Sequence, residues 1–107
     1  MSIFLVETYV VKAEKQAEYT PLLNEFLKYK KDHAQLFTGL KSWKLYKQNF
    51  GAIVGMYIEV WEYENLADME KINKRIFEDE GMKKIQGAFH QLVDPATFSA
   101  NIWSLVA

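Results

Sequence analysis

The chain has 107 residues, half of them hydrophobic and a quarter charged, with a net charge of −1 at neutral pH. That length suits one domain, 1–107, able to bury a core without staples, and the charge balance removes the basic footprint of a nucleic-acid binder. The absence of Cys excludes disulfides, thiolate nucleophiles and thiolate metal ligands together.

Further classes fall away on inspection. No run approaches the roughly 18 apolar residues of a membrane span, and Met1 to Val11 lacks the basic start and cleavage site of a signal peptide. The expectation is a cytoplasmic protein with no membrane partner. Of thirteen basic residues only Arg75 is arginine, which disfavours bidentate phosphate recognition. There is no glycine-rich loop or Walker pattern. His33, near a helix C-terminus, and His90, read as a half-exposed helix residue, are too distant from each other for a first-row metal site. Glu78-Asp79-Glu80-Gly81 lacks calcium-loop spacing and reads as a solvated helix break. Neither metal nor cofactor is expected.

Ile3 to Lys12 alternates as a first strand. A helix follows from about Lys15 to Leu36, with Tyr19, Leu22, Leu23, Phe26, Leu27 and Phe37 on one stripe, and a bend is expected at Pro21. Leu40 to Asn49 is a second strand, its Lys41, Lys44 and Lys47 suiting an outer position. Asn49-Phe50-Gly51-Ala52 turns the chain into a third strand, Ile53 to Tyr63, which completes a hairpin. Asn65 caps a second helix with Asp68 in its first turn. Leu66, Met69, Ile72, Ile76 and Phe77 form its buried stripe. Met82 to Leu92 is a shorter helix, stopped by Asp94-Pro95, and Thr97 to Val106 is the last strand.

The order β-α-β-β-α-β predicts an α+β, ferredoxin-like sandwich: a four-stranded antiparallel sheet with both helices on one face. Crossover rules put strands one and three side by side at the centre, that pair expected parallel, with two and four at the edges. The third strand has two distinct rows. Val54, Met56, Ile58 and Val60, with Phe4, Val6 and Val10, are expected under the helices. Leu5, Glu7, Tyr9, Tyr46, Tyr57, Glu59, Trp61, Asn101, Trp103 and Leu105 are expected on the uncovered face. So many aromatic side chains in water exceed what a monomer exposes, so a homodimer packed through this sheet face is expected, with a space between the sheets.

Within that space Glu7 and Glu59 lie on adjacent central strands. Two neighbouring carboxylates in a partly dry site cannot both ionise cheaply, so one holds or shares a proton. They are the candidate catalytic pair. Lys44 could neutralise one of them, and Tyr9, Tyr46, Tyr57, Trp61, Asn101 and Trp103 would wall a site for a small polar or aromatic molecule. The competing structural account has both glutamates paired with lysines or water at the dimer interface.

The element order resembles the dimeric α+β barrel superfamily, which includes antibiotic-biosynthesis monooxygenases, haem-degrading oxygenases and NIPSNAP-like proteins. The local likeness is carried by Val60-Trp61-Glu62-Tyr63-Glu64-Asn65-Leu66-Ala67-Asp68-Met69-Glu70 and by Leu92-Val93-Asp94-Pro95-Ala96-Thr97-Phe98, the latter similar to NIPSNAP-type members. The resemblance implies the barrel-forming dimer. Haem-degrading members use an Asn on the first strand with a Trp and a His in the second helix region. Here the first strand offers Glu7 or Thr8, and the helix from Asn65 to Gly81 has neither Trp nor His, so haem degradation is disfavoured. The expected role is therefore small-molecule binding between the sheet and its partner. The alternatives are a cofactor-independent monooxygenase-like or isomerase-like enzyme, and a non-catalytic assembly module.

Overall fold

Alternating and helical periods translate into seven principal elements in the computed structural model, which describes residues 2–107. These are β1 (Ile3–Tyr9), α1 (Gln16–Asp32), β2 (Ser42–Lys47), β3 (Tyr57–Tyr63), α2 (Leu66–Glu78), α3 (Glu80–Leu92) and β4 (Ser99–Ser104), with short 3₁₀ turns at Ala13–Lys15, Ala34–Phe37 and Pro95–Thr97. The strand order is β2-β3-β1-β4, the ferredoxin-like arrangement. β1 and β3 are central and β2 and β4 are the edges, as expected. Among the described residues no helix is long and apolar enough to cross a membrane.

The sense of the central pair differs from expectation. β1 and β3 run antiparallel, with Val6 opposite Val60 and Glu7 opposite Glu59. The reason is topological. Each helical crossover returns the chain in its original sense, but it leaves a gap one strand wide. β1 and β2 are therefore the parallel pair, and the hairpin reverses β3 before it fills the gap.

Local signals set the helix ends. The Asn65 side chain accepts from the Asp68 backbone N–H at 2.8 Å, and the Asp79 carboxylate accepts from Met82 N–H at 3.1 Å. Asp79 thus begins α3 and receives the Tyr29 hydroxyl from α1 as well. The first helix is shorter than its periodicity suggests. Pro21 lies inside it, His33 is its C-cap, and the chain continues as the 3₁₀ turn Ala34–Phe37. Gly39 then turns with φ +96°, where an added Cβ would meet the Ile72 side chain at 2.8 Å. Leu66, expected in the buried stripe of α2, is exposed as the first residue of that helix.

The hairpin arm is shorter than expected too. β3 begins at Tyr57 rather than Ile53, and residues 48–56 form the connection, with Gly51 and Gly55 at positive φ. Val54, expected in the strand's apolar row, is 68% exposed in this loop.

The largest correction concerns the two faces of the sheet. The helices cover the aromatic row. Phe26 of α1, Ile72 and Ile76 of α2, and Met82 and Ile85 of α3 pack on Trp61 and Tyr63, with Ile3, Leu5 and Trp43 alongside. A second cluster joins Tyr9, Val11, Tyr19, Leu92 and Val93, with Tyr57 and Phe89 against it. Phe4, Val6, Ile58 and Val60 occupy the uncovered face instead. Val10 and Met56 lie outside the strands. Both rows are apolar enough to be buried, but only the aromatic row has the bulk to fill the deep space beneath three helices.

Candidate functional site

Because side chains alternate along each strand, the register that opposes Glu7 and Glu59 puts both carboxyls under the helices. They project into a cavity of about 100 Å³ between the sheet and α1 and α3. At roughly 10–15 Å³ per water position, this is room for several waters or a small molecule. Its walls are mostly aromatic, from Tyr9, Tyr19, Phe26, Trp43, Trp61, Phe77 and Phe89, and the exposed His90 and Phe98 stand at its edge.

Glu59 is held at both oxygens. Its Oε2 accepts from the Tyr9 hydroxyl at 2.9 Å and its Oε1 from the Trp43 indole N–H at 3.1 Å. Tyr9 in turn lies 2.6 Å from the Tyr19 hydroxyl, and the Tyr19 ring stacks on Tyr57 with centroids 4.3 Å apart. Glu7 has no comparable anchor. Burial, with the charge of Glu59 adding to it, pushes the Glu7 carboxyl up to about 7 from 4.5, against a smaller pull downward from the Trp61 indole. Burial also raises Glu59, opposed by the hydrogen bonds from Trp43 and Tyr9 and by the Trp61 indole. Burial foremost, and then Glu59, keeps the Tyr9 phenol protonated well above its ordinary range.

Trp61 completes the site. It is only 5% exposed, and its Nε1–H sits beside both carboxyls without a hydrogen-bond partner of standard geometry among the described residues. A buried donor left unmade is costly, and here it borders open space that can admit an acceptor.

The expected site residues therefore divide between two faces. Glu7, Tyr9, Tyr57, Glu59 and Trp61 come together beneath the helices rather than on the uncovered face. Lys44, Tyr46, Asn101 and Trp103 share the uncovered face, where Lys44 opposes Val60 and Asn101 opposes Val6. Lys44 thus cannot neutralise either glutamate, because the sheet stands between them. The glutamates likewise lie on the opposite side of the sheet from the face expected to form a dimer interface. Trp43 and Tyr19 were not anticipated as site residues, and only the register of β2 and the tilt of α1 reveal them. His90 is exposed and borders the cavity.

Solved structures share this architecture. A NIPSNAP family protein from Agrobacterium tumefaciens superposes with a TM-score of 0.77 at 18% identity, over 99% of this chain and 94% of that one. A second NIPSNAP family protein of unknown function from the same organism gives 0.72 at 16% identity, covering 95% and 86%. An antibiotic biosynthesis monooxygenase gives 0.69 at 10% identity, covering 98% and 99%. The expected likeness to these two groups holds at the level of the fold. No protein-family model and no curated protein matches the sequence.

The Glu7 environment has a direct consequence for stability. Its carboxyl is raised on folding, so between about pH 4.5 and 7 the folded chain binds more protons than the unfolded one, and stability falls as pH rises through that window. Glu7→Gln removes the penalty. Urea denaturation should find the variant more stable than wild type by roughly 1–3 kcal/mol at pH 8 and nearly equal at pH 4. A variant that is less stable at pH 8 would contradict the buried, raised carboxyl.

Proposed function

We propose that the protein binds a small neutral carbonyl compound in the cavity beneath its helices and acts on it by acid–base chemistry of the isomerase type. The observation that carries this reading is the juxtaposition of an unanchored carboxyl, Glu7, with an unpartnered buried donor, Trp61 Nε1, in an aromatic-walled cavity. Glu7 titrates near the operating pH, where a general base is most effective. As carboxylate it takes a proton from carbon next to the substrate carbonyl. The electron pair moves onto the carbonyl oxygen, where the Trp61 N–H meets the developing charge. Glu7 then returns the proton to the same or a neighbouring carbon, so no oxidant or reductant is consumed. Transfer also moves negative charge from Glu7, opposite Glu59, onto the substrate oxygen, which relieves the repulsion between the two carboxylates. The oxygenation named for one structural neighbour would differ in consuming oxygen.

The same proposal includes a homodimer formed through the uncovered sheet face. Trp103 is 56% and Tyr46 52% exposed there, and the following Leu105 and Val106 are exposed as well. A two-fold partner would bury these side chains against their own copies. In this arrangement the pocket belongs to each subunit and not to the space between sheets.

Incubation with a panel of small cyclic ketones in deuterated water, followed by NMR, tests the chemistry. Wild type should incorporate deuterium next to the carbonyl at least about 100-fold faster than Glu7→Gln, without oxygen uptake. No exchange and no binding across the panel would return the protein to the class of assembly modules. Sedimentation equilibrium should give twice the 12.5 kDa chain mass, and Trp103→Glu should shift it to a single chain. A wild-type monomer would contradict the dimer alone.

A further inference from the structure

The two glutamates enter the same cavity from adjacent strands, but their surroundings are unequal. Both oxygens of Glu59 are occupied by donors, Tyr9 at 2.9 Å and Trp43 at 3.1 Å. A hydroxyl carries one proton, and that of Tyr9 goes to Glu59. Tyr19 must therefore donate across the 2.6 Å contact to Tyr9, which strengthens the whole chain of donors. No donor of standard geometry reaches Glu7 among the described residues. We infer that Trp43 and Tyr9 are positioning residues that hold Glu59 as the ionised member of the pair and thereby assign the exchangeable proton to Glu7.

The physical basis is the preference of hydrogen-bond donors for a charged acceptor. Two such donors on Glu59 that do not reach Glu7, with the Trp61 indole beside both, decide which of two close acids gives up its proton first. The remaining groups around the pair do not compete. The sheet presents Tyr63 beside Glu7, α1 presents Tyr19, α2 presents only Phe77 to the cavity, and α3 presents the uncharged Gln86, with His90 at the exposed edge. No Lys or Arg lines the cavity. The directions of titration agree. Burial and then the charge of Glu59 raise Glu7 against the Trp61 indole, while burial raises Glu59 against the pull of Trp43, Tyr9 and the Trp61 indole. The catalytic meaning of this assignment rests on the acid–base reading above, but the assignment itself can be tested without a substrate.

The test is a titration of the full chain carrying ¹³C-labelled glutamate side chains, followed by NMR, with each carboxyl assigned from its Gln variant. In wild type Glu59 should ionise first and Glu7 last. In Trp43→Phe the midpoint of Glu59 should rise by about half a unit, or roughly threefold in the ionisation constant, while Glu7, still ionising last beside a charged neighbour, keeps its midpoint. Tyr9→Phe should give the same movement of Glu59 alone. Two further variants leave the donors in place. Glu7→Gln should leave the Glu59 midpoint unchanged, because Glu59 ionises beside an already neutral neighbour, whereas Glu59→Gln should lower the Glu7 midpoint. A merely structural role for Trp43 would disturb both carboxyls and not Glu59 alone. The inference is overturned if Glu7 ionises before Glu59 in wild type, if Glu7→Gln lowers the Glu59 midpoint, or if the Glu59 midpoint fails to rise in Trp43→Phe. Those outcomes would leave ligand binding in the cavity untouched, and failure to bind any ketone would leave the proton assignment standing.

Discussion

Opposing carboxyls at the centre of the sheet, roofed by helices, impose the constraint on which the other features of this molecule converge. Glu7 and Glu59 are brought together by the antiparallel register of β1 and β3. Neither can be moved to the other face without slipping the pairing by one residue and turning every side chain in the strand over. An unpaired buried charge is among the costliest things a core can contain. The surroundings offset that cost for one of the two. Tyr9, Trp43 and, through Tyr9, Tyr19 satisfy Glu59, so three aromatic side chains that also build the core supply its hydrogen bonds. Glu7 is left facing the cavity, where its neutral form is favoured at low pH and its charged form becomes available near neutrality.

This division explains why a cavity survives in a core otherwise filled by large rings. Replacing Glu7 and Glu59 by apolar residues would allow the helices to settle onto the sheet. Carboxyls instead demand polar company or space. The Trp61 N–H has the same effect, since among the described residues it has no acceptor of standard hydrogen-bond geometry. A core built for stability alone would satisfy or remove all three groups, and their retention is what the proposed binding role would require. The helices around the cavity are anchored at its edges. Asp79 begins α3 and receives Tyr29 from α1, and Tyr63 beneath them donates to Asn73 of α2. These contacts hold the roof at a fixed height while the centre remains partly empty.

Much of this was legible in the residues and some was not. The Asn65 cap, the apolar stripe through Ile72 and Ile76, and the Asp94-Pro95 stop are local signals, and each marks an element that is present. The central position of β3 follows from its having something to bury on both sides. The pairing of Glu7 with Glu59 follows from that centrality. Which row faces the helices does not follow, because Ile58 and Val60 are as apolar as Trp61 and Tyr63, and period alone distinguishes the faces without orienting them. Handedness and helix packing decide the matter, and those are properties of the assembled chain. The reversed sense of β1 and β3 was missed by treating the crossover as if it joined neighbouring strands. Trp43 escaped notice as a site residue because its partner, Glu59, is sixteen residues away on the opposite hairpin arm. A tryptophan on a strand is ordinarily core. Only the register, Trp43 opposite Trp61 and Leu45 opposite Glu59, puts its N–H within reach of the carboxylate.

The uncovered face and the cavity lie on opposite sides of one sheet, so the proposed dimer and the proposed ligand would be gained or lost independently. The central claim is that a carboxyl remains protonated up to near-neutral pH inside the fold. Infrared difference spectroscopy reads this directly, through the C=O stretch of a protonated carboxyl. The account predicts a band that persists through mildly acidic pH, fades with a midpoint near 7 and is missing from Glu7→Gln. A wild-type spectrum with every carboxyl already ionised by about pH 5, the ordinary end of the glutamate range, would contradict it.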